Sequence, residues 1–195
     1  MRSFLRWLYL AVARSLMKTN TGFVSQSTGA PRGPRIWFHG ASAGEIESLI
    51  PVIEKWLAFA PDREAIVSVF SPSGLSNLES LSKILAESGK ANRLIWSGLS
   101  PREGGWNAAV PKAGISAFVT AKYEAWPELW ATLGSAGIPL VVVSGSSRKS
   151  LKVAGSLLRF FNLPLPRLRF LIATESDRAG LNALFPQAIV HHTGE

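Results

Sequence analysis

Short apolar runs without polar alternation set the tightest limit on what this chain can fold into. LVVVS (140–144) and RFLIAT (169–174) leave no continuous hydrophilic side to face water. A strand that is apolar on both sides belongs in a sheet covered on both faces, which is the habit of parallel sheets. Runs of the same kind predict strands at Ile36–His39, Ala65–Phe70, Arg93–Trp96, Ile115–Thr120, Pro139–Ser144 and Leu168–Ala173, with a seventh at Ala188–His191. Segments of helical period lie between most of them: Gly44–Phe59, Gly74–Ser88, Pro127–Ala136, Lys149–Phe161 and Ser176–Leu184. Strand and helix alternate, so the fold class is α/β, a doubly wound parallel sheet with right-handed crossovers. A chain of 195 residues is long enough for one such domain, expected over residues 35–195, and no internal repeat is visible.

The formal net charge is +8, which suggests an anionic partner until the charges are placed. Arg2, Arg6, Arg14, Lys18, Arg32 and Arg35 form one cluster without an acid; Arg148, Lys149, Lys152, Arg159, Arg167 and Arg169 form another. The remainder of the chain carries more acid than base. Two local patches suit an anionic surface or substrate better than a continuous duplex track, and no nucleic-acid-binding motif appears, so no nucleic acid is expected as partner. Cysteine is absent, which excludes disulfides and thiolate metal sites.

Residues 1–18, MRSFLRWLYLAVARSLMK, are too short and too interrupted by charge to span a bilayer. On a helix, Arg2, Arg6, Arg14 and Lys18 fall on one side and Phe4, Leu5, Leu8, Val12 and Leu16 largely on the other, with Trp7 suited to the headgroup boundary. That is the pattern of an amphipathic helix lying on an anionic membrane surface. A helix packed on the domain with its basic side in water would read the same way. Residues 19–34, rich in Ser, Thr, Gly and Pro, form the linker to the domain.

Ligands of such a sheet bind beyond the carboxyl ends of its strands. The first strand ends in His39-Gly40-Ala41-Ser42-Ala43-Gly44-Glu45. Gly40 and Gly44 allow tight turning and close backbone approach. Ser42 and Glu45 have the spacing of a capping box, so Glu45 is either a helix-end device that complements the dipole or a proton acceptor. The second strand end, Ser71-Pro72-Ser73-Gly74, opens a helix whose free N–H groups suit a phosphate or carboxylate. The third brings Lys122 and Glu124 ahead of Trp126-Pro127, and the fourth brings small hydroxyl residues and then Arg148 and Lys149. Neither a GxxxxGK[ST] loop nor a GxGxxG turn follows a strand. The only aspartates are Asp62 and Asp177, His191 and His192 are adjacent, and no metal site is expected.

Four of these motifs, in order and spacing, resemble one family. WFHGASAGE is similar to the His-x-x-Ser-x-Gly-Glu turn of the Kdo transferases, which move 3-deoxy-D-manno-octulosonic acid (Kdo) from CMP-Kdo to the lipid A precursor. SPSG resembles their Thr/Ser-Pro-Thr/Ser-Gly turn, YEAWPELW their Glu-Leu-Trp-Pro segment, and HHTGE the Thr-Gly-Asn linker before a second domain. The resemblance implies the amino-terminal, acceptor-binding half of a GT-B glycosyltransferase with a Rossmann-like sheet. It implies inverting, metal-independent transfer in lipopolysaccharide biosynthesis at the cytoplasmic face of the bacterial inner membrane. Glu45 would be the general base. His39, Ser42, Gly44, Ser71, Ser73, Gly74, Lys122, Glu124 and Arg148 would meet substrate. CMP-Kdo would bind a carboxy-terminal domain absent here, no cofactor would be needed, and the isolated chain would be inactive. Lys122 stands where the family has a second Glu, and Ser144-Gly145-Ser146 where it has Asn-Ala-Arg. The alternative is a non-catalytic lipid- or sugar-binding module built on the same half-fold.

Overall fold

The computed structural model describes residues 30–101, 104–122 and 124–194. The proposed membrane helix, with Arg2, Phe4, Leu5, Arg6, Trp7, Arg14 and Lys18, lies outside the described residues, as does most of the linker. Among the described residues no helix is long and apolar enough to cross a membrane.

Seven strands form one sheet: β1 Arg35–Gly40, β2 Glu64–Val69, β3 Leu94–Leu99, β4 Ala117–Ala121, β5 Leu140–Val143, β6 Leu168–Ile172 and β7 Ile189–His192. Their order is β3-β2-β1-β4-β5-β6-β7, and every pairing is parallel. Among the described residues six α-helices connect them: α1 Ala43–Phe59, α2 Leu75–Glu87, α3 Trp106–Ala113, α4 Pro127–Ala136, α5 Lys149–Phe160 and α6 Ser176–Leu184. This is a Rossmann-like sheet of the kind that forms the amino-terminal half of a GT-B glycosyltransferase.

The period-2 alternation of the strands divides the core in two. Phe38, Val67, Val69 and Val119 point toward α1 and α2 and pack on Ile46, Leu49, Ile53 and Leu81. Trp37, Phe118, Leu140, Val142 and Phe170 point the other way and pack on α3 to α6 through Trp106, Trp130, Leu151 and Leu181. β1, β2 and β4 are thus covered on both sides, at about 25 cal/mol for each Å² of apolar surface removed from water. β5 and β6, expected to be buried on both faces, are buried on the α3–α6 face; on the other Val141 and Val143 are half-buried and Arg169 is exposed, because α1 and α2 pack over β1–β4.

Helix α3 is an element the sequence reading leaves as loop. Gly104-Gly105 before it and Pro111 inside it are both breaker signals. The helical spacing is present beneath them, because Trp106, Ala109, Val110 and Ala113 are the buried residues. Gly114 ends the helix at φ 61°. β3 also runs further than expected, to Leu99, and is half-buried throughout as an edge strand.

One cation of the amino-terminal cluster is not available to an anionic surface. Arg35 is 2% exposed and pairs with Glu64, its register neighbour on β2, through Nε at 3.0 Å and Nη2 at 2.8 Å. Its Nη1 donates to the Ala113 carbonyl at 2.8 Å, so the pair locks the amino ends of β1 and β2 to the end of α3.

Candidate active site at the strand-order reversal

The strand order reverses between β1 and β4, and each of these strands is followed within a few residues by a carboxylate: Glu45 after β1, Glu124 after β4. The crevice beyond that reversal is the favoured ligand site of an open α/β sheet.

The first turn depends on close approach. A Cβ on Gly40 would stand 3.1 Å from Glu45 Cβ and from the Ile46 backbone nitrogen, so glycine lets the strand end pass tightly under α1. Gly44 faces open space; the close approach expected of both glycines belongs to Gly40. Ser42 is the N-cap, and Glu45 at N3 completes a capping box. Glu45 Oε2 accepts the Ser42 N–H at 3.0 Å and the Ala41 N–H at 2.5 Å. Glu45 is 4% exposed, and among the described residues nothing donates to its other oxygen, Oε1. One oxygen is fixed by backbone; the second is left for a ligand.

Glu124 Oε2 accepts the Trp126 indole N–H at 2.7 Å. Burial pushes the Glu124 pKa up to about 7; the Trp126 bond opposes the rise and the charge of Glu45 adds to it. The two carboxyls therefore sense each other across the reversal. A carboxyl that titrates near neutrality is suited to exchanging protons during a reaction.

His39, expected to touch substrate, is 0% exposed and packs edge-on against Trp106. The ring lies among the α3-side core residues. Its Nδ1 is 3.0 Å from Ser68 Oγ, which accepts the Trp37 indole N–H at 2.8 Å. Among the described residues its Nε2 has no hydrogen-bond partner, and it stands 3.9 Å from Glu124 Oε2. Desolvation lowers the His39 pKa to about 4, against a backbone hydrogen bond with Ser68 that raises it, so the ring is neutral at pH 7. His39 reaches the site through Glu124.

The serine turn joins the same crevice. Phe70 N–H donates to the Gly40 carbonyl at 3.0 Å and Ser71 N–H to the Ala41 carbonyl at 2.9 Å, which continues the β1–β2 ladder into the loops. A Cβ on Gly74 would fall 2.2 Å from Val69 Cγ2, so the turn lies flat on the end of β2. The Ser71 and Ser73 hydroxyls are 2.8 Å apart. Trp126 packs on Phe70 with ring centroids 5.0 Å apart, linking the Glu124 turn to the serine turn. Lys122 adopts φ 60° with its N–H on the Val143 carbonyl at 2.7 Å. Arg148 lies further along the edge, exposed, at the N-cap of α5. The hydroxyl loop before it is not free: Ser146 Oγ and Ser147 N–H donate to Asp177 Oδ1 at 2.9 and 3.0 Å. Glu128, which sequence reasoning passes over, is buried in the first turn of α4 and accepts the Gly104 N–H, holding the loop that leads into α3.

Gly40-Ala41-Ser42-Ala43-Gly44 also has the G-x-S-x-G spacing of a nucleophile elbow. The geometry rejects that use. An elbow serine sits on a strained turn beside a histidine base, whereas Ser42 is extended at φ −131°, ψ 169°, and His39 engages Ser68.

Residues 15–195 match the family described as 3-Deoxy-D-manno-octulosonic-acid transferase (kdotransferase). A 3-deoxy-D-manno-octulosonic acid transferase of Chlamydia muridarum is 41% identical over 49 residues, 25% of this chain and 11% of that protein. Those of Chlamydia trachomatis serovar D and Chlamydia pneumoniae are 40% and 42% identical over 43 residues, 22% of this chain and 10% of each relative. These alignments therefore span about a tenth of the relatives' length. No solved structure matches.

Proposed function

The chain belongs to the Kdo-transferase family, and on that premise we propose that it forms the acceptor side of a Kdo transfer onto the lipid A precursor. In this reading a hydroxyl of the acceptor lies in the crevice between Glu45 and Glu124. Its oxygen attacks the anomeric carbon of Kdo, the bond from that carbon to the CMP phosphate oxygen breaks, and CMP leaves with the electron pair. The hydroxyl proton passes to Glu45 Oε1. Attack from the face opposite the leaving group inverts the centre.

The observation that carries this reading is the division of labour within one carboxylate. Oε2 of Glu45 is fixed by two backbone N–H groups, and among the described residues Oε1 is left without a donor. A base held in one orientation needs no reorganisation when the proton moves. Glu124 serves as the second carboxyl: its charge state sets the field at Glu45, and His39 Nε2 stands behind it. The hydroxyls of Ser71 and Ser73 offer donors for an anionic group of the acceptor. CMP-Kdo is held by a further domain of a longer protein, and residues 1–18 rest on the anionic cytoplasmic face of the inner membrane where the acceptor resides.

The test uses the full-length gene product with CMP-Kdo and lipid A precursor, following acceptor-dependent CMP release. Glu45→Gln is expected to retain acceptor binding and lose turnover. Unchanged turnover in that variant removes Glu45 as base; absence of Kdo transfer by the unaltered protein removes the reading altogether.

A further inference from the structure

The second basic cluster is split by the fold, and half of it faces away from the active site. Arg148, Lys149 and Lys152 open α5 at the carboxyl edge of the sheet. Arg159, Arg167 and Arg169 gather at the amino ends of the strands, where they line a cavity of about 710 Å³. Its walls are the amino ends of β5, β6 and β7, the second half of α5 and the turn after α6. The volume lies within the roughly 300–1,000 Å³ range of small-molecule sites.

The lining has a consistent character. No acidic residue contributes to it, and Gln187 is its one uncharged polar side chain. Val141, Leu168, Phe185 and Ile189 are among its apolar members. Val141, Arg169 and Ile189 are register partners on adjacent strands, so the Arg169 side chain rises between two apolar neighbours on one face of the sheet. None of the three arginine side chains takes part in an ion pair or hydrogen bond with a described residue. Leu165 and Ile189, both in the lining, remain 43% and 47% exposed.

Each feature removes a class of occupant. A sugar or nucleoside would leave its hydroxyls unmatched against this apolar lining. An uncharged hydrocarbon would not use three guanidinium groups that repel one another around a low-dielectric wall. What satisfies both halves is an apolar chain ending in a compact anion, since planar guanidinium groups match phosphate oxygens in forked geometry.

We propose that this cavity is a binding site for an anionic phospholipid of the bilayer, one chain entering between Leu168, Phe185 and Ile189 and the phosphate resting among Arg159, Arg167 and Arg169. The site is separate from the crevice at Glu45 and stands whether or not the chain takes part in Kdo transfer.

Dodecyl phosphate, below its micelle concentration, is the probe, titrated into the ¹⁵N-labelled chain. The expected result is saturable binding, with amide shifts centred on Gly155, Leu168, Ala188 and Ile189 and none at Ala41–Glu45. The double variant Arg167→Ala/Arg169→Ala, altering two exposed side chains, is expected to bind at least tenfold more weakly with an unchanged fold. Dodecanol is expected to bind at least tenfold more weakly than dodecyl phosphate. Inorganic phosphate should not compete at equal concentration. Cavity amides that stay unmoved, equal response to dodecanol, undiminished binding by the double variant, or competition by inorganic phosphate alone would each overturn the proposal.

Discussion

Glu64 and Glu45 are almost equally buried, at 2% and 4% exposure, and they sit at opposite ends of the sheet. Glu64, at the amino end, is neutralised by the Arg35 guanidinium and also accepts the Arg32 N–H at 3.3 Å. Glu45, at the carboxyl end, forms no ion pair among the described residues; its charge is met by two N–H groups and the first turn of α1. Glu124 beside it has only a neutral histidine and an indole. The lesson lies in the partner. A fixed cation makes a carboxylate a structural rivet, while N–H dipoles hold it in place and leave a lone pair available for chemistry.

Four experiments break or sharpen that contrast, taken from the largest expected effect downward. Glu45→Gln in the full-length enzyme should reduce turnover by roughly 10²–10⁴ through loss of the base. Its melting temperature should move little, because the change loses only dipole complementarity of about 0.3–1 kcal/mol. Glu64→Gln should do the opposite. Stranding Arg35 in the core costs about 3–5 kcal/mol, read from denaturant unfolding of this chain, without touching the crevice. If Glu64→Gln unfolds no earlier than Glu45→Gln, the distinction between paired and N–H-held carboxylates fails.

The third experiment is a pH series. The Glu124 pKa is raised from 4.5 to about 7, so its contribution to stability is full below pH 4.5 and is lost as pH rises through 7. The His39 pKa is lowered from 6.5 to about 4, so its contribution is present above pH 6.5 and is lost as pH falls through 4. Each shift corresponds to about 3 kcal/mol. Between pH 4.5 and 6.5 the two slopes oppose, and these neighbours should leave the unaltered chain nearly flat. Glu124→Gln should unmask stability rising with pH over that window, and His39→Gln stability falling with pH. Parallel curves for the two variants would contradict the assignment. Smallest of all, Ser42→Ala should cost about 1 kcal/mol as a lost helix cap, with turnover in the full-length enzyme largely kept.

The parallel sheet was legible because buried strands announce themselves by composition, as AIVSV does at β2, buried at every residue. Helix α3 was not, since Gly104-Gly105 and Pro111 mask a buried spacing that only packing against Trp37 and Phe118 makes decisive. Glu45 could be found from the strand end and the capping-box spacing, which are local. Glu124 drew notice only as part of a motif, and its coupling to Glu45 needs β1 beside β4, a strand order no local pattern contains. The burial of His39 was within reach: it lies two residues after Trp37, so alternation places both on the same apolar face.

The hydroxyl of Thr120 on β4 donates to the His39 carbonyl on β1 across 81 residues of chain. By contrast, β1 meets β2 across 29, from Arg35 to Glu64. Closing the longer loop costs about 1 kcal/mol more in chain entropy, and distant pairings are formed slowly. During synthesis, β1, β2 and β3 can associate while β4 is still within or behind the ribosome. Glu45 then spends that interval beside an unfilled edge, and Glu124 arrives only when the central seam closes. The crevice is a product of the slow, long-range half of folding, so a nascent chain displays its capped helix well before the two carboxylates face each other.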